Sequence, residues 1–162
     1  MKRIIKGLIA VFVMAVLVTA CQSYDDISMM LGADVDSAKV ISNGDSHGGF
    51  HGDGERYLEF EFEDNGFEDA IKEDNTWHVL PIKEDTITAL LYGLKTPAMT
   101  FGPYLENGIP KVEHGYYFFY DRHSESKDPF DVSEVLDRAS LNFTVAIYDA
   151  ETDILYYAEM DT

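Results

Sequence analysis

The sequence predicts an α+β domain over residues 38–162, built mainly on an antiparallel sheet, with two or three short helices and a C-terminal β-hairpin. Three observations predict it. Residues 57–63 (YLEFEFE) alternate apolar and acidic side chains, the period of a strand with one face on a core. Two β-rich runs, residues 141–148 and 154–160, are joined by five residues, a spacing that favours an antiparallel hairpin. Strand and helix patterns do not alternate regularly along the chain, which disfavours a parallel doubly wound sheet.

In chain order, residues 39–42 (KVIS) read as a short strand ended by the turn chemistry of Asn43-Gly44. In the next strand Leu58, Phe60 and Phe62 face the core, while Glu59, Glu61 and Glu63 face water. Asp64-Asn65-Gly66 breaks it, and residues 67–72 read as a short helix that turns Phe67, Ala70 and Ile71 inward. Residues 77–80 predict a strand stopped by Pro81. Asp85 then caps a helix over residues 86–92, where Ile87, Leu90 and Leu91 recur at helical spacing before Gly93. Pro97, Pro103 and Pro110, with Gly102 and Gly108, predict a long surface loop over residues 94–111. Residues 115–122 (GYYFFYDR) are aromatic on both faces, which suits a central strand. A loop around Pro129 follows, and residues 132–138 form a turn of helix. In the closing hairpin Phe143, Val145 and Ile147 share one face, and Asp149-Ala150-Glu151-Thr152-Asp153 makes the connection.

The 162 residues suit one domain, and 46% hydrophobic with 13% aromatic residues supply enough apolar surface to exclude wholesale disorder. With 30 acidic against 12 basic residues the formal charge is −18, so nucleic acid is not an expected partner, since a phosphate backbone must be met by clustered cations. The single cysteine, Cys21, excludes an intrachain disulfide and a cysteine-based zinc cage.

The N-terminus reads as an address. Lys2, Arg3 and Lys6 precede residues 8–18 (LIAVFVMAVLV), which hold no polar side chain. A cationic stretch followed by a short apolar one is the layout of a secretory signal peptide, and it is short of the ~20 residues that a membrane-spanning helix needs. Val18-Thr19-Ala20-Cys21 then resembles the lipobox of bacterial lipoproteins. The resemblance implies a cleaved leader over residues 1–20 and diacylglycerol on the Cys21 thiol. Two acyl chains hold a protein on a bilayer where one binds only marginally, each buried methylene contributing ~0.8 kcal/mol. An uncleaved anchor and a secreted chain with an unmodified thiol are the alternatives for the same layout. Loss of the leader removes three positive charges and takes −18 to −21. Such a body is repelled by an anionic bilayer. Residues 21–37, acidic and without a basic residue, read as a flexible tether, with docking of Met29-Met30-Leu31 on the domain as the alternative.

Candidate chemistry centres on residues 45–55, where Asp45, His47, His51 and Asp53 are spaced among four glycines. Histidine nitrogen with carboxylate oxygen is a reasonable ligand set for a divalent metal. A straight strand from Asp45 to Asp53 would span ~26 Å, so convergence on one ion requires a fold-back at Gly48-Gly49. The competing readings are a structural loop, in which these groups hydrogen-bond backbone, and a surface for a small ligand or partner. By parity Asp45, His47, His51, Asp53 and Glu55 all point away from the core side of Phe60. Asp121-Arg122-His123 is a second cluster, with Arg122 suited to a bidentate pair and His123 read either as a general base beside it or as a solvated loop side chain. No Gly-x-Ser-x-Gly elbow, phosphate-binding loop or His-Glu-x-x-His motif occurs, and residues 149–153 lack the glycine of a calcium loop.

The runs HGGFHGDGE, Leu80-Pro81 after Trp77, YYFFYDRH and FTVAIYDAETDILYYAEMDT together resemble a group of small lipoproteins of Gram-positive bacteria. That resemblance implies one domain on the outer face of a cell membrane and brings no activity with it. The expected function is therefore a lipid-anchored, non-enzymatic module that binds an envelope protein or small ligand, with the 45–55 loop and exposed tyrosines in its working face. The alternative is a metal-binding protein or metal-dependent hydrolase using the 45–55 cluster.

Overall fold

A computed structural model describes residues 23–48, 52–98, 100–106 and 108–162. The lipobox at Cys21 and the candidate His51 lie outside these described residues. The strands are β1 (Lys39–Asp45), β2 (Gly54–Glu61), β3 (Trp77–Val79), β4 (Leu94–Lys95), β5 (Thr100–Phe101), β6 (Gly115–Asp121), β7 (Asn142–Asp149) and β8 (Ile154–Asp161). Six form one sheet in the order β1-β2-β8-β7-β6-β3, every neighbour antiparallel, while β4 and β5 pair separately. The C-terminal hairpin is β7–β8, and β8 lies inside the sheet between β7 and β2. The α+β architecture is the expected one.

Helices cover both faces. On one side α1 (Asp25–Leu31) and α2 (Gly66–Glu73) pack Ile27, Leu31, Phe67 and Ile71 on Leu58, Phe60, Phe118 and Tyr157. On the other, α3 (Asp85–Tyr92) and the segments around Leu105 and Ile109 pack on Tyr57, Tyr117, Val145 and Ile147. The alternation of residues 57–63 therefore holds in direction but not in exposure. Tyr57 and Glu55 oppose Phe60 and are buried all the same, because the second layer covers that face.

Five local expectations are corrected. The long surface loop over residues 94–111 instead holds β4 and β5 and buries Leu105 and Ile109 in the second layer. The flexible tether over residues 21–37 is not what forms from Tyr24 onward: α1 docks with Ile27 and Leu31 fully buried. A seven-residue helix is marginal on its own, so tertiary contacts hold it. Trp77 Nε1 donates to the Leu31 carbonyl at 2.9 Å, and the Tyr24 amide donates to Asp36 Oδ1 at 2.6 Å. Met29, in contrast, stays 84% exposed. Asn43-Gly44 does not turn the chain but continues β1 opposite Leu58 and Tyr57, since β2 offers it a ladder. Ala70 faces solvent, as Phe67 and Ile71 alone reach the core. Asp85 opens α3 as its first residue, favourable at the positive end of the helix, and no side chain caps the helix.

Four buried tyrosines meet acids. The hydroxyls of Tyr57, Tyr117, Tyr148 and Tyr157 donate to Glu59, Glu84, Asp153 and Glu159 at 2.6–2.8 Å. Burial first, and then the neighbouring carboxylate, raises all four pKa values, that of Tyr117 to about 12. A folded-state value above the unfolded one stabilises the fold fully below the unfolded value of ~10, and that stabilisation falls away as pH rises through the folded value. In an alkaline titration followed by tyrosinate absorbance, these four phenols of the ten are expected to stay protonated until the fold opens. Ten phenols titrating together near the ordinary value in the folded protein would contradict this burial.

Candidate functional site

At the end of β1 the chain returns as β2, and Ser46 and Glu55 face each other where the two strands meet. The Ser46 amide donates to the Glu55 carbonyl and the Glu55 amide to Ser46 Oγ, both at 2.8 Å. Gly54 permits this approach: a Cβ there would sit 2.6 Å from the His47 amide nitrogen. This pairing sets His47 against the sheet end. Its Nδ1 is 2.8 Å from Asp45 Oδ1, which also accepts the His47 amide at 2.9 Å. That amide bond, then the ring, holds the Asp45 carboxyl below the usual range.

The other ring nitrogen leads to a residue that the sequence did not single out. His47 Nε2 lies 3.1 Å from Asp161 Oδ2, at the end of β8. Asp161 also takes both terminal nitrogens of Arg122, at 3.0 and 3.1 Å, in a bidentate pair. Arg122 Nη2 reaches the Phe143 and Met160 carbonyls as well, at 3.1 and 3.2 Å, and its Nε is buried with no hydrogen-bond partner. The two clusters singled out in the sequence thus meet on Asp161, because β1, β8 and β6 run in one direction and finish at the same end of the sheet. Only a tertiary pairing over 39 residues links Arg122 to its acid.

The remaining candidates separate. Asp53 is exposed and makes no hydrogen bond or ion pair among the described residues. Asp121, 2% exposed, pairs with Arg138 and accepts the His123 amide at 3.1 Å. His123 Nε2 rests 3.0 Å from Ser140 Oγ. Glu55, 4% exposed, accepts the Glu106 amide at 2.6 Å and so ties the long 94–111 segment to the sheet. Each nitrogen of His47 already has a carboxylate neighbour, and a metal ion at either one would have to break that contact. Among the described residues no group of three or more His, Cys, Asp or Glu is placed to hold a metal.

A concavity of ligand size lies elsewhere, beside the edge strand β3. Leu80, Pro81 and Ile82 follow β3, Thr88 and Tyr92 come from α3, and residues 111–114 close a groove of about 500 Å³. Small-molecule sites occupy roughly 300–1,000 Å³. Val79, 64% exposed, precedes these residues at the end of β3, the last strand of the sheet. The apolar run around Leu80-Pro81 was visible in the sequence, whereas its meeting with Tyr92 and Val112 depends on how α3 lies on the sheet. Comparison with protein-family models, with curated proteins and with solved structures finds no match to this chain.

Proposed function

We propose that this protein is a lipid-anchored binding module on the outer face of a bacterial membrane, holding a small ligand or envelope partner by its surface. What carries the reading is the N-terminal layout: three cations, an uncharged apolar run and Val18-Thr19-Ala20-Cys21. Two features of the domain fit it. Tyr24 is buried, so the three steps from Cys21 to Tyr24 allow at most about 11 Å between the acylated residue and the folded body. An anchor there holds the domain close to the bilayer rather than on a long leash. The groove sits on the sheet face away from α1 and beside β3, whereas Tyr24, next to the anchor, lies by β1 and β2 at the other lateral edge, which favours a groove open to solvent in an anchored molecule.

Mass spectrometry of the protein extracted from its native membrane tests this. The expected chain begins at Cys21 and carries the added mass of diacylglycerol, and Cys21→Ser leaves the leader uncut. An intact leader, or a free thiol at Cys21 in the wild-type chain, would sink the proposal.

A further inference from the structure

The groove beside β3 has a lining unlike the rest of this acidic chain. Leu80, Pro81, Ile82 and Val112 make its apolar walls, and the Tyr92 hydroxyl donates to the Pro110 carbonyl at 3.2 Å, which fixes the ring as a further wall. Lys111 Nζ lies 5.3 Å from the centre of that ring. Among the described residues no carboxylate stands within ion-pair distance of Lys111, although acids outnumber bases by 30 to 12. A cation over an exposed ring gains only ~0.5–1 kcal/mol, and the ammonium keeps donors for another acceptor. His114 shares the rim, 3.7 Å from Glu151, and Glu113 is the one acid of the lining.

We propose that this groove binds an organic monoanion with an apolar body, of the fatty-carboxylate class. The body lies against Leu80, Ile82, Val112 and Tyr92, and the carboxylate meets Lys111. Glu113 limits the ligand to one negative charge, because a second anionic group would face it. Charge of −18 over the whole chain opposes a polyanion or an acidic peptide as well. An uncharged analogue keeps the walls and loses the ion pair, and a cationic one meets Lys111 as a like charge. The assignment rests on the reading of this chain as a binding module and names its ligand class.

Octanoate, octanol and octylammonium share one alkyl chain and differ in charge, so they separate these cases. Titrated into isotope-labelled protein, octanoate is expected to shift the amides of residues 80–82, 88–92 and 111–114 saturably. It should bind about five-fold tighter than octanol, as fits one partly exposed ion pair, and octylammonium weakest of the three. Lys111→Met should abolish the preference of octanoate over octanol, and Glu113→Gln should tighten octanoate; both side chains are exposed, so neither change threatens folding. Equal binding of the three probes in the groove keeps the site and overturns the anion. Shifts elsewhere, or none with any probe, overturn the site itself. The mass of the anchored chain is independent of these outcomes, so anchoring and ligand class stand or fall separately.

Discussion

Leu31→Ala is expected to lower the unfolding free energy by about 2–5 kcal/mol, the range for a truncated core leucine whose cavity only partly closes. Leu31 is fully buried, ends α1, and has its carbonyl held by the Trp77 indole at 2.9 Å. Ile27, one turn earlier, shares the burial. Truncation at residue 31 therefore removes methyl groups from a layer that also includes Phe60 and Trp77. The control lies in the same helix: Met29→Ala, at an 84% exposed position, should change stability by no more than ~0.5 kcal/mol. Denaturant unfolding measures both. Equal and small effects would return residues 25–31 to the status of a tether and detach the proposed anchor from the folded body.

Gly115→Ala is the second large effect. Gly115 opens β6 opposite Asp149 with φ of +146°, a conformation that L side chains rarely adopt. A Cβ there would lie 1.9 Å from the Tyr148 carbonyl oxygen, inside the repulsive wall of any carbon–oxygen contact. Neighbouring backbone has little room to yield. The Gly115 carbonyl accepts the Leu80 amide and the His114 carbonyl accepts the Ala150 amide, both at 3.0 Å. Backbone strain costs ~1–3 kcal/mol and overpacking typically ~1–3 kcal/mol, so a loss of about 2–6 kcal/mol is expected in the same unfolding measurement. Because the contact sits beside residues 111–114, amide shifts in Gly115→Ala should extend to the groove and leave His47 and Asp161 unmoved. A fully stable variant would mean that β6 does not meet β7 in this register.

Legibility followed physical range. Residues 57–63 announce their strand by alternation, and the 141–160 hairpin by two β-rich runs and a short connection; both signals are local, and both elements stand. The failures share one cause. Asn43-Gly44 carries turn chemistry and lies in a strand because β2 stands beside it. Glu55 has the parity of a wet face and is buried because a segment some fifty residues later folds over it, the Glu106 amide ending on its carboxylate. The acidic run after Cys21 has weak periodicity, and only the packed position of Ile27 and Leu31 makes it a helix. The functional candidates behave alike: His47 and Arg122 were each visible, and Asp161, which joins them, was not.

By itself the sequence determined the fold class, most of the strands and a large negative charge, because periodicity and composition act within a few residues. Tertiary structure alone decided that both sheet faces are covered, that α1 belongs to the core, and where Lys111 meets Tyr92. Those outcomes depend on contacts between residues far apart in the chain, whose cost in chain entropy is met only when the whole sheet closes.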